Sequence, residues 1–316
     1  MSVLHEAADQ YLAIRRGLGA KLYGVDGVLR SFTDFAAREK RSHITTDLVL
    51  RWVQAQTGVL PATRALRFQL VRRFAIWRSA TDPRTEIPPK NLLPDRYRRR
   101  PPYIYSDREI HELIKAARRL PPSTALKGHT YATLFALLSV TGMRISEALA
   151  LDREDVMLEE GMLRIRHSKF DKSRLVPIHQ STSKALAAYA RRRDKLIRQP
   201  LDAAFFLSDR GLRVTGGSTR YNFARISQQL GLRDAPRRPG QHGRGPRLHD
   251  MRHRFAANTL LDWYRAGANV ERGIPKLSTY LGHAHVNDMY WYIEAVPELL
   301  ELASRRLIEQ GTEGKP

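Results

Sequence analysis

Between residues 82 and 103 the chain breaks its own pattern. Six prolines fall there, at 83, 88, 89, 94, 101 and 102, and Arg98-Arg99-Arg100-Pro101-Pro102 closes the stretch. Proline lacks a backbone N–H and pushes the residue before it toward extended backbone, so no helix or central strand runs through such a segment. One continuous core cannot be built across it. The expected organisation is a first domain over 1–82, a basic linker over 83–103 and a second domain over 104–316. A chain of 316 residues is long enough for two cores.

Residues 5–79 read as helical. Apolar side chains recur every three or four positions, as in Leu48, Leu50, Trp52 and Val53, and again in Leu66, Leu70, Phe74 and Trp77. Thr45, Thr46, Asp47 and Thr63 offer oxygens to cap helix starts. This predicts a bundle of four or five helices. The second domain opens on Ser106 and Glu109, spaced as a capping box. Helices are expected at about 107–119, 129–140, 182–198, 218–230, 250–265 and 296–309. In the second of these, Leu134, Phe135, Leu137, Leu138 and Val140 should be buried. Segments 161–166 and 174–178 look like paired strands joined by a turn at 168–173, and 234–247 reads as a flexible basic loop. The expected fold is mainly α with a small β-sheet: a helical N-terminal domain, then a mixed α+β domain.

Charge narrows the partner. The chain holds 54 Lys+Arg against 32 Asp+Glu, a net charge of +22. So much like charge repels itself, and an anionic partner is the natural reason to keep it. Nucleic acid leads; an anionic membrane surface competes, but no basic amphipathic anchor helix is evident. Both parts are basic: residues 1–95 hold 15 Lys+Arg against 9 Asp+Glu, and the remainder 39 against 23. No apolar run approaches the roughly 18 residues of a membrane span. The N-terminus lacks the layout of a signal peptide. Cysteine is absent, which removes disulfides and thiolate metal sites and fits a reducing cytosol. His249 and His253 have the spacing of half a zinc site, but nothing completes it, so neither metal nor cofactor is expected.

Phosphodiester cleavage without a metal needs an in-line nucleophile, cations on the non-bridging oxygens and an acid for the leaving oxygen. The chain carries candidates in sequence. Arg144 follows the turn Thr141-Gly142, with Glu147 one helical turn on. Lys169 and its rival Lys172 lie in the strand turn, in Lys169-Phe170-Asp171-Lys172-Ser173-Arg174-Leu175-Val176-Pro177. His249 and Arg252 share a helix face. His283 follows Leu281-Gly282, and an aromatic run, Tyr290-Trp291-Tyr292, comes next. Singly, each has an ordinary reading: a helix-capping arginine, solvated lysines, a structural histidine, aromatic core packing.

The ordered set is more specific. Thr141-Gly142-Met143-Arg144-Ile145-Ser146-Glu147, Lys169, His249-x-x-Arg252, Gly282-His283 and Tyr292 nine residues later together resemble the catalytic constellation of the tyrosine recombinase (phage integrase) family. The resemblance spans about 104–295; the N-terminal part matches only in being small, helical and basic. It implies that Tyr292 attacks a DNA phosphate, with Tyr290 as the alternative nucleophile. Arg144 and Arg252 then clamp the phosphate, and His283 donates to one of its oxygens. Lys169 protonates the leaving 5′-oxygen, His249 moves or positions a proton, and Glu147 steadies the basic groups. The implied product is a 3′-phosphotyrosyl DNA with a free 5′-hydroxyl, formed without metal or ATP.

The same resemblance implies a site-specific recombinase of the bacterial cytoplasm and nucleoid, integrating or excising a mobile element. It implies two domains clamping double-stranded DNA and a homo-tetramer on paired sites, its C-terminal helix docked on a neighbouring protomer. A catalytically silent DNA-binding protein and a type IB topoisomerase-like enzyme are the alternatives.

Overall fold

Thr45 starts a helix as its sequence predicts, its hydroxyl accepting the Leu48 N–H at 3.2 Å. It does so in a computed structural model that describes residues 2–93, 101–122, 124–166, 173–235, 245–283 and 285–313. The chain divides into two units, Met1–Arg100 and Pro101–Pro316.

The first unit contains α1 (Val3–Gly17), α2 (Val25–Arg38), α3 (Thr46–Gln54) and α4 (Pro61–Ser79). Their shared core includes Leu4, Leu29, Phe32, Trp52, Phe68 and Phe74, with Phe32 meeting Trp52 edge-on at 5.4 Å between ring centres. Two expectations shift here. Thr63 lies inside α4 rather than at its cap, because Pro61 occupies the first turn, where its missing N–H costs nothing. The buried stripe of α4 is Ala65, Phe68, Val71, Phe74 and Ala75; of the predicted face Phe74 is buried, Leu70 and Trp77 are half-buried and Leu66 is exposed.

The second unit holds α5 (Asp107–Arg118), α6 (Lys127–Thr141), α7 (Ile145–Ala150), β1 (Val156–Met157), β2 (Met162–Ile165) and β3 (Arg174–Pro177). There follow α8 (Gln180–Leu196), α9 (Gly216–Gln229), α10 (Leu248–Arg265), α11 (Val270–Leu281), α12 (Asn287–Ala295) and α13 (Pro297–Glu313). Ser106 caps α5 through the expected box: its hydroxyl accepts the Glu109 N–H and its own N–H donates to the Glu109 carboxylate at 2.7 Å. Among the described residues the sheet is antiparallel in the order β1-β2-β3, and the pair Leu163–Val176 turns into the core.

The interior is organised as two apolar clusters. One wraps α6 with α5, α9 and the sheet; Leu134, Phe135, Leu137 and Leu138 are buried there, whereas Val140 points outward and is 50% exposed. A helix advances about 100° per residue, so Val140 leaves the face its neighbours share. The other cluster joins α10 (Ala256, Leu260), α11 (Ile274, Leu277, Leu281), α12 (Met289, Tyr292) and α13 (Leu299). It is this second cluster that seats the candidate site. In α13 Leu299 is fully buried and its neighbour Leu300 is half exposed. Among the described residues no helix is long and apolar enough to cross a membrane.

Candidate active site

Helix α6 ends at Gly142, whose φ of +59° turns the chain back. A Cβ at this glycine would stand 2.5 Å from Cδ1 of Phe255, so both the backbone sign and the space exclude a side chain. The reversal delivers Arg144 to the cap of α7. There its own N–H donates to Glu147 Oε2 at 2.9 Å and its Nη1 to Glu147 Oε1 at 2.8 Å.

A second glycine turn meets the first. Helix α11 ends at Gly282 with φ +70°. The last carbonyls of a helix have no partners within it, and its C-terminus favours cations. Here three guanidiniums take them. Arg174 Nε donates to the Tyr280 carbonyl at 2.9 Å, Arg252 Nη2 to that of Leu281 at 2.9 Å, and Arg144 Nη2 to that of Gly282 at 2.8 Å. Arg252 Nη1 reaches across to the Gly142 carbonyl at 2.9 Å, so one side chain pins both turns. His283 is the next residue along.

Tyr292 arrives from α12. It is buried, and its hydroxyl lies 3.4 Å from His253 Nδ1, within hydrogen-bond reach. The His283 ring stands edge-on to Tyr292 at 6.3 Å between centres, and His253 is edge-on to His249 at 4.7 Å. Trp291 packs on His253 at 5.1 Å. Tyr290, the alternative nucleophile, is 51% exposed, on the other side of the helix.

The charges are set by this crowding. Loss of water around buried Arg252, and then repulsion from Arg144, lower its pKa to about 10, which still leaves it protonated at neutral pH. Burial pushes the Glu147 carboxyl up, but hydrogen bonds and charge from Arg174 and Arg144 outweigh it and hold the group below its ordinary range. The protein packed around the His249 ring, then the positive charges of Arg252, Arg247 and Arg144, bring its pKa down to about 4, with only Asp250 opposing. His249 is therefore neutral at pH 7.

Arg144, Glu147, Arg252 and the turn bearing His283 thus converge, and Tyr292 joins through its contacts with His283 and His253. Lys169 and Lys172 lie outside the described residues, as does most of the 234–247 loop. Two members escaped sequence reading. Arg174 grips Glu147 with both terminal nitrogens, at 3.1 and 2.9 Å, and His253 touches the Tyr292 hydroxyl. A cationic patch bordered by a tyrosine hydroxyl and imidazole rings, His249 among them neutral, can bind an anionic ester and accept a phenolic proton.

A mainly helical unit with a small antiparallel sheet, carrying Arg, His-x-x-Arg, His and Tyr in this order, has the layout of the tyrosine recombinases, enzymes that break and rejoin DNA. The chain belongs to the phage integrase family, whose model matches residues 105–298. It is 45% identical to y4rB of Sinorhizobium fredii, a protein that carries the name integrase/recombinase, over 97% of this chain and 98% of that one. It is 26% identical to the tyrosine recombinase XerD of Staphylococcus epidermidis, covering 92% and 94% of the two chains. Among solved structures, the XerH site-specific recombinase bound to its difH substrate superposes with a TM-score of 0.65 at 21% identity, over 89% of this chain and 78% of that one. The Tn1549 transposon integrase in complex with transposon right-end DNA gives 0.66 at 15%, over 98% and 100%. At such identities the two structures speak for the fold alone.

Proposed function

We propose that this protein is a site-specific DNA recombinase that cuts and rejoins strands through a 3′-phosphotyrosyl intermediate. The observation that carries this reading is the meeting of Arg144, Arg252 and the His283 turn beside the Tyr292 hydroxyl. Tyr292 Oη attacks the scissile phosphorus, the P–O5′ bond breaks, and the phenolic proton leaves to a neighbouring base, for which the candidates are neutral His249 and the His253 ring beside the hydroxyl. Arg144 and Arg252 hold the non-bridging oxygens as charge builds on them, the task for which a planar guanidinium is suited. Lys169 supplies the proton to the departing 5′-oxygen. One phosphate ester replaces another, so no ATP is needed to drive resealing, and the arginines supply the positive charge that a metal supplies in other nucleases.

Double-stranded DNA is the substrate in this reading. The solved relatives in complex with DNA and the +22 charge both support it. Kinship with proteins named as integrases supports integration or excision of a mobile element. The basic helical unit over residues 1–82 would hold the duplex together with the catalytic domain. The exposed Leu300 on α13 gives a neighbouring protomer an apolar handhold, in keeping with a tetramer on two paired sites.

The test is covalent trapping. Duplexes tiled across the DNA flanking the protein's own gene, each nicked so that the short cleaved strand diffuses away, are incubated with protein in EDTA and run on a denaturing gel. Wild type and Tyr290→Phe should form a protein–DNA adduct, and Tyr292→Phe should form none. Loss only in Tyr290→Phe would move the nucleophile. Tight binding to a tiled site with no wild-type adduct would leave a binding protein without strand exchange.

A further inference from the structure

We infer that Arg174 is a positioning residue for DNA cleavage, fixing where Arg144 and the turn before His283 stand; this rests on the proposed recombinase chemistry. Arg174 is not one of the residues that would meet the phosphate. It lies on β3 and is almost entirely enclosed, with its side chain 12% exposed. Its fork takes both oxygens of Glu147, at 3.1 and 2.9 Å, and its Nε takes the Tyr280 carbonyl at 2.9 Å. Nη2 also approaches the Leu281 carbonyl at 3.4 Å.

Glu147 is therefore a shared anchor. Its Oε1 receives Arg144 Nη1 and Arg174 Nη1; its Oε2 receives the Arg144 N–H and Arg174 Nη2. Removing Arg174 strips the carboxylate of half of these bonds, although it stays buried. The orientation of Arg144 is then held by a partner that is itself no longer held. The other end matters equally: the Tyr280 carbonyl belongs to the last turn of α11, and Arg144 grips the Gly282 carbonyl two residues later. Packing leaves no slack, because a Cβ at Gly282 would come within 2.7 Å of Arg174 Nη1. Lysine cannot substitute: a single ammonium cannot span two carboxylate oxygens and a carbonyl in one plane.

A residue that only held the sheet to α11 would lower stability and leave the chemistry of folded protein untouched. The experiment separates the two. Single-turnover adduct formation is measured at saturating DNA, on the nicked duplex found by trapping, for wild type, Arg174→Lys, Arg174→Ala, Arg144→Ala and the double variant Arg144→Ala/Arg174→Ala. Each protein is also melted and its DNA affinity measured. A second duplex carries a neutral methylphosphonate at the scissile position, where less charge needs a cation.

Arg174→Lys, still folded at the assay temperature, should bind DNA as wild type does yet cleave about 10²-fold more slowly, the scale of a small misplacement of a catalytic group. Its deficit should shrink on the methylphosphonate, and the double variant should be no slower than Arg144→Ala alone, since the two losses act through one group. Wild-type cleavage by folded Arg174→Lys, or losses that multiply in the double variant, would overturn the positioning role. If Arg174→Ala melts too low to assay, Arg174→Lys decides. An adduct that forms in wild type, fails in Tyr292→Phe and forms more slowly in Arg144→Ala upholds the recombinase reading even when the Arg174 variants behave as wild type. Without any wild-type adduct both fall together.

Discussion

His249 shows how a single residue can carry both a stability signature and a chemical one. Its folded pKa, about 4, lies below the ordinary value of 6.5. Between those values the unfolded chain binds a proton that the folded chain refuses, so this residue's contribution to stability falls as the pH drops from about 6.5 toward 4 and is constant above. Melts at pH 7 and pH 5 should show a smaller acid loss in His249→Gln than in wild type. Bound phosphate reverses the preference by supplying negative charge, so an NMR titration of the His249 ring should give a midpoint near 4 in free protein and a higher one with DNA. A midpoint near 6.5 in the free protein would refute the argument. The residues legible in the sequence were those whose order carries the signal: Arg144, His249, Arg252, His283 and Tyr292. Arg174 was not, because it reads as one more alternating strand position. Its partners lie 27 residues before it, at Glu147, and 106 after it, at Tyr280. His253 was weighed only as half of a metal pair, since nothing local tells a ring that it will face a hydroxyl 39 positions away.

Secondary-structure elements matter here mainly through how they end. The α6–α7 reversal sets Arg144, and it depends on Gly142. Alanine there would accept a φ of +59° at about 1 kcal/mol and would also press on Phe255, 2.5 Å away. Overpacking of this kind costs roughly 1–3 kcal/mol, so Gly142→Ala should lose about 2–4 kcal/mol in all. For a unit of this size that corresponds to a fall in Tm of roughly 4–16 °C. An unchanged melting curve would mean that Phe255 yields freely and that the turn is not constrained as argued. Elements with strong local signals were readable: the Ser106 capping box, the Thr45 cap, the apolar run of α6 and the pair of strands. Helix α11 was not, because Gly273 and Pro275 interrupt it and its helicity comes from packing Val270, Ile274, Leu277 and Leu281 against α10 and α12. Helix α12 likewise has no capping side chain, and its aromatic run is equally at home in a core. The misplaced Leu66 in α4 is a further case where residue type misleads: it is apolar yet exposed, while small Ala65 sits inside.

Across the whole molecule, charge governs the encounter with DNA. Both the first 95 residues and the remainder carry excess positive charge, and Arg98-Arg99-Arg100 concentrates it between the two predicted domains. Each phosphate neutralised on duplex DNA releases condensed counterions, so the logarithm of affinity falls with the logarithm of salt at about 0.9 per contact. A chain with a net +22 that engages 6–10 phosphates should lose roughly 10³–10⁵ in affinity between about 50 and 200 mM salt. If the linker arginines follow the DNA backbone, replacing Arg98, Arg99 and Arg100 by glutamine should make that slope shallower by up to about 2.7, since three contacts are lost at 0.9 each. The weakening should be similar on specific and unrelated duplexes, because phosphate contacts carry no direct sequence information. Adduct formation at low salt should persist, as none of the three is among the residues assigned to cleavage. Fluorescence anisotropy titrations of the full chain over a salt series measure the slope directly. An unchanged slope in the triple variant would show that these arginines remain hydrated in the complex and that the two domains, not the segment between them, make the phosphate contacts.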